Sequence, residues 1–148
     1  MASELISIVN ASAKRLLPSI IDIRRDLHRH PELSFEEKRT SESIKTFLTK
    51  YGIPFTEGWA GYGIVASVRG EADGPLVMLR ADMDALPITE ANDVSYRSLN
   101  EGIMHACGHD GHTAMLLGAA EALTNLRSFD GTVLFIFQPA EEGEGGGR

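Results

Sequence analysis

The sequence predicts an α/β fold, a mixed sheet with flanking helices, and three observations lead there. Apolar residues recur at helical spacing over residues 3–30, 34–51 and 110–126. Short strand-like runs occupy 53–55, 64–68, 76–79 and 132–137. The last run is apolar, β-branched or aromatic throughout, as a central strand covered on both faces should be. At 148 residues the chain is long enough for one ordinary domain and short for two.

Each element has its own signal. Leu5, Ile6, Val9, Ala13, Leu16 and Leu17 make a helical stripe that Pro18 interrupts, so two helices or one kinked helix are expected. Ile20, Ile23 and Leu27 continue it, with Arg24, Arg25 and Arg29 toward water, until Pro31 disfavours helical geometry at His30. His28 and His30 then sit near a helix end, where interaction with the last carbonyls explains them more simply than a role in a site. Ser34 and Glu37 have capping-box spacing, which predicts a helix start there. Thr40, Ile44, Phe47, Leu48 and Tyr51 line its inner face, and Gly52 supplies a left-handed stop. The Gly- and Pro-bearing stretch 70–75 reads as a hairpin joining 64–68 to 76–79. The second of these runs delivers Asp82 and Asp84 past its carboxyl end, where ligands bind in open α/β sheets, although a solvated turn explains them equally well. Residues 88–104 are polar and irregular. The apolar residues of 110–126 cover most of the helix circumference, as in a helix buried against a sheet, and the run 132–137 leads to Glu141, Glu142 and Glu144.

The chemistry concentrates in His105-Ala106-Cys107-Gly108-His109-Asp110-Gly111-His112, where three histidines, the only cysteine and an aspartate share eight residues. A lone cysteine rules out an internal disulfide, leaving Cys107 as core, ligand or nucleophile. Each polar cluster has an ordinary explanation alone: a buried thiol, a helix cap, a solvated acidic turn. If the connections are right-handed, however, Asp82/Asp84, His105–His112 and Glu141/Glu142 converge on one sheet edge. Thiolate, imidazole and carboxylate together suit zinc, manganese or nickel, and the donors outnumber what one ion needs. A net charge of −7 argues against nucleic acid or anionic membrane as a partner. No run approaches the roughly 18 apolar residues of a membrane span, and the start lacks a secretory signal, so a cytoplasmic location is expected.

Three blocks carry a family resemblance: residues 79–87 (LRADMDALP), 104–113 (MHACGHDGHT) and 137–143 (FQPAEEG). They resemble the signature blocks of the M20 metallopeptidases, most closely the amidohydrolase branch of hippurate hydrolases, N-acyl-amino-acid deacylases and auxin-conjugate hydrolases. Residues 27–34 (LHRHPELS) resemble that branch's amino-terminal block. The resemblance implies a phosphorylase/hydrolase-like zinc-exopeptidase catalytic domain, two divalent ions (Mn, Zn or Ni), and hydrolysis of the amide of a small N-acyl amino acid, by a parent that forms a homodimer or homotetramer. It implies Cys107, His109 and Glu142 as metal ligands, Glu141 as general acid/base and Asp84 as a carboxylate orienting a ligand, and it assigns no ligand role to Asp110 or His112. Because family members are much longer, residues 1–148 are expected to be the amino-terminal part of the catalytic domain, without its remainder or the lid and dimerisation domain.

The residue types fit the chemistry, since a metal lowers the pKa of a water toward neutrality and Glu141 can accept its proton and pass it to the departing amine. Two further readings stay open: a truncated module that binds metal or a partner without catalysis, and a hydrolase with Cys107 as nucleophile. This chain alone is expected to have little or no hydrolase activity and to expose an apolar sheet edge or face.

Overall fold

The computed structural model describes residues 2–143 and 145–147. Its elements are α1 (Ala2–Arg29), α2 (Lys38–Lys50), β1 (Phe55–Trp59), β2 (Gly63–Arg69), β3 (Ala72–Asp82), α3 (His109–Leu126) and β4 (Asp130–Gln138). The α/β class and mixed sheet are as expected. Pro18 lies inside α1, so the first segment is one continuous helix.

The strand order is β1-β2-β4-β3, with β4 antiparallel to β2 and parallel to β3. This corrects the expected hairpin, because β2 and β3 are not neighbours and β4 lies between them. The turn-forming stretch 70–75 instead wraps the start of β4, with Gly70 N–H donating to the Gly131 carbonyl and Glu71 N–H to the Phe129 carbonyl, both at 2.9 Å. A Cβ at Gly70 would collide with the Phe129 carbonyl, so the glycine allows close backbone approach. Turn chemistry signals a reversal without choosing the neighbour. Here the more apolar strand takes the interior place.

The core lies between one face of the sheet and the helices. Ile64, Ala66, Val68, Val133, Phe135 and Phe137 meet Ile44 and Leu48 of α2 and Leu116, Leu117 and Ala120 of α3. β4 is central, but only alternate residues are buried, and Thr132, Leu134 and Ile136 on its other face are half-buried. β3 forms an edge whose Leu76 and Met78 are 62% and 64% exposed, the apolar edge that was expected.

Phe135→Ala should cost about 3–5 kcal/mol by leaving a core cavity, read as a lower urea midpoint. Met78→Lys should leave that midpoint nearly unchanged while reducing self-association in sedimentation, because a charge on an open edge discourages strand pairing.

Candidate metal centre

The parallel register sets Asp82 opposite Gln138, and Met83 N–H donates to the Gln138 carbonyl at 3.0 Å. The loops beyond the two strands therefore start side by side, Asp84 on one and Glu141 and Glu142 on the other. α3 contributes the third element. Its first residue, His109, follows Gly108, whose φ of +87° is a left-handed turn open to glycine at little cost.

His109 is buried, and its Nδ1 lies 2.9 Å from the Asp84 carbonyl and 3.3 Å from Asp84 Oδ1. A proton on Nδ1 serves both oxygens and leaves Nε2 with a free lone pair. Nε2 is 3.7 Å from Glu142 Oε1 and 3.9 Å from Glu141 Oε2. Ligand atoms of Cys107, His109 and Glu142 all lie within 4.8 Å of one another. Tetrahedral donors about 2.0–2.3 Å from an ion stand roughly 3–4 Å apart, so small side-chain rotations would close the set on a cation. Glu142 Oε1 is buried with no hydrogen-bond partner, which suits an atom facing a positive ion. The donor set fits a divalent metal.

Electrostatics points the same way. Burial works to raise the Asp84 carboxyl, but His109, the Glu142 N–H at 3.0 Å and the Ser34 hydroxyl at 2.8 Å outweigh it and hold the group well below the usual carboxylate range. Asp84 in turn raises His109. The Glu142 carboxylate, followed by partial burial, pushes the exposed Cys107 thiol up. Acidic neighbours oppose a free thiolate, and a divalent cation among them reverses that balance.

Asp82, His109 and His112 form a second three-donor group, with His112 Nδ1 3.6 Å from Asp82 Oδ2. The Arg80 guanidinium already pairs with Asp82, and His109 has one free nitrogen for which both groups compete. His105 joins neither group. It is buried with no partner for either ring nitrogen, and burial lowers its pKa to about 4, so it is neutral. Glu144 lies outside the described residues.

Residues 28–37 hold parts that sequence reasoning missed. His28 lies in the last turn of α1 as expected, but instead of meeting the terminal carbonyls it is a buried hub, its Nδ1 2.7 Å from Asp110 Oδ2 and its Nε2 3.1 Å from Glu90 Oε1. Arg24 Nε adds a second contact to Asp110 Oδ2 at 2.8 Å. His30 behaves as expected, its Nδ1 bonding the Asp26 carbonyl at 2.8 Å. The capping box does not form: α2 begins at Lys38, and its N-cap, Glu37, makes no side-chain cap. Ser34 donates to Asp84, and Glu37 Oε1 accepts from Ala140 N–H at 2.8 Å. One segment thus reaches the bases of all three polar loops. The only signal for this was the family likeness of residues 27–34, since capping spacing offered a sufficient local explanation.

His28→Leu should destabilise the fold by about 1–3 kcal/mol, because Asp110 and Glu90 each lose one buried hydrogen bond while Asp110 keeps Arg24; urea unfolding measures it. Burial raises the Glu37 pKa above its ordinary 4.5. The folded chain then holds the proton more tightly than the unfolded one, so this group's contribution to stability falls as pH rises from 4.5 through the raised value. Glu37→Gln should remove that fall, seen as a smaller drop in urea midpoint between acid and neutral pH.

Known proteins share this arrangement of sequence and fold. The model of Peptidase family M20/M25/M40 matches residues 78–148. The chain is 47% identical over 131 residues to an N-acetylcysteine deacetylase of Bacillus subtilis, covering 87% of this chain and 34% of that protein. It is 48% identical over 130 residues to IAA-amino acid hydrolase ILR1-like 5 of Arabidopsis thaliana, covering 87% of this chain and 30% of that one. The crystal structure of Bacillus subtilis YXEP, described as a dinuclear metal binding peptidase from M20 family, superposes with a TM-score of 0.83 at 46% identity over 87% of this chain and 37% of that chain. The chain spans about a third of the length of these relatives. Motifs, fold and relatives agree: residues 78–148 match peptidase family M20/M25/M40, and over most of its length the chain is similar to proteins named as deacetylases and amino acid hydrolases.

Proposed function

We propose that Cys107, His109 and Glu142 hold a divalent ion and that Glu141 is the general base for amide hydrolysis in the complete protein. The observation that carries this reading is the approach of one thiol, one free imidazole nitrogen and one unpartnered carboxylate oxygen to within 4.8 Å. Asp84 fixes the His109 tautomer and ring plane, so that Nε2 faces the site. When bound, the metal acidifies a water and polarises the scissile carbonyl. Glu141 takes the proton of the attacking water and returns it to the departing amine, which leaves neutral. Its side chain is 40% exposed, against 20% for Glu142. That difference suits a mobile proton carrier beside an anchored ligand.

The substrates in this reading are N-acyl amino acids, as the names of the relatives suggest, and residues 1–148 form the amino-terminal part of the catalytic domain. Two ions, of zinc, manganese or nickel, in a homodimer or homotetramer in the cytoplasm complete the proposal. Among the described residues no helix is long and apolar enough to cross a membrane. The chain by itself, with Cys107, His109 and Glu142 as donors for that ion, should turn over little or no substrate. A cysteine-nucleophile mechanism finds no support, because Glu142 and its acidic neighbours raise the Cys107 thiol when an activated nucleophile needs it lowered.

In the complete protein, Glu141→Gln should lower turnover of N-acetyl amino acids by about 10²–10⁴-fold while metal content stays unchanged. Cys107→Ser should lose metal and activity together. Chelator-resistant activity in the parent would contradict the metal reading, and alkylation of Cys107 by iodoacetamide that is unaffected by added zinc would contradict its place in the site.

A further inference from the structure

Ala140, the residue before Glu141 and Glu142, has φ +54° and is fully buried. An L residue in the left-handed region is strained and persists only where its surroundings enforce it. Three hydrogen bonds do so here. The Ala140 N–H donates to Glu37 Oε1 at 2.8 Å, the Ala140 carbonyl accepts from Gly146 N–H at 3.0 Å, and Glu142 N–H donates to Asp84 Oδ2 at 3.0 Å. The Glu37 contact spans 103 residues of sequence and comes from a carboxyl with no solvent exposure. Its other oxygen, Oε2, has no partner at all. A buried carboxyl half unsatisfied is a poor choice for packing alone, since its side chain caps no amide of α2 and an apolar side chain would fill the same space without desolvation cost.

We infer that Glu37 is a positioning residue for the metal centre: by holding the Ala140 amide it locks a strained elbow that brings the Glu141 and Glu142 carboxylates to His109 Nε2, at 3.9 and 3.7 Å. Consecutive residues with two different tasks need this. Glu142 must face Cys107 and His109, while Glu141 must stay off the ion. If Ala140 relaxes to an ordinary right-handed or extended φ, the two carboxylates rotate together and the Glu142 donor leaves the set. This inference rests on the proposed ligand role of Glu142, and its test separates the two.

The test uses the 148-residue chain, cobalt(II) as the probe, and two readouts: the thiolate-to-cobalt absorption band with the cobalt affinity, and hydrogen exchange of the Ala140 amide without metal. Glu37→Leu should expose the Ala140 amide to exchange and weaken cobalt binding by about 10–100-fold, the usual range for losing a contact behind a ligand. Glu37→Gln keeps an acceptor oxygen and should retain both protection and affinity. The decisive variant is Ala140→Gly added to Glu37→Leu. Glycine adopts positive φ without strain, so the elbow should re-form in part and cobalt affinity should recover in part. Damage to packing under α2 would not be repaired that way. Should Glu37→Leu fail to fold, Glu37→Asn, one methylene shorter, removes the same acceptor. Wild-type protection and affinity in the variant that lacks the acceptor, or no recovery on adding Ala140→Gly, would overturn the inference. A wild-type chain that takes up no cobalt would overturn the ligand assignment instead, and the exchange of the Ala140 amide would still show whether Glu37 holds the elbow.

Discussion

The parallel pairing of β3 with β4 is the constraint on which the rest depends. Asp82 opposite Gln138 brings the ends of two strands, 56 residues apart in sequence, to the same level of the sheet. Without that register Asp84 could not accept the Glu142 N–H, and the carboxylates after β4 would not face the histidine that Asp84 orients. α3 connects the two strands as the crossover a parallel pair requires, and it begins at the rim with His109. One register thus supplies three loop ends.

Register alone leaves those loops free to fold in many ways. The segment 28–37 removes that freedom by placing a buried or part-buried polar contact on each: His28 on Asp110, Ser34 on Asp84 and Glu37 on Ala140. These contacts are costly to leave unmade in a buried setting, so each loop is tied to the same short stretch. The apolar core beneath, built on Phe135, Phe137, Ile64 and Leu117, holds the strand ends steady, and the polar contacts above it set the directions of individual side chains.

Much of this was legible in the sequence because the signals were local and strong. The apolar run ending in Phe137 named β4, the periodicity before Leu126 named α3, and the density of donors between His105 and His112 marked the rim. The strand order was not legible. Residues 70–75 have good hairpin chemistry, and only the burial of Val133, Phe135 and Phe137 explains why β4 displaces β3 from β2. Ser34 and Glu37 misled for a different reason. Their spacing satisfies a helix start locally, whereas their partners Asp84 and Ala140 lie 50 and 103 residues away. His28 shows the same limit, since a histidine near a helix end has a cheap local explanation that hides a buried hydrogen bond with Asp110.

The central claim is that sulfur, imidazole and carboxylate share one cation at this rim. X-ray absorption on the zinc-loaded 148-residue chain tests it most directly, because the bond lengths identify the donors. A first shell with one sulfur at about 2.3 Å and one imidazole nitrogen at about 2.0–2.1 Å, the remainder oxygen, is the expected result. A shell of oxygen alone, or one in which the sulfur distance survives in Cys107→Ser, would contradict it.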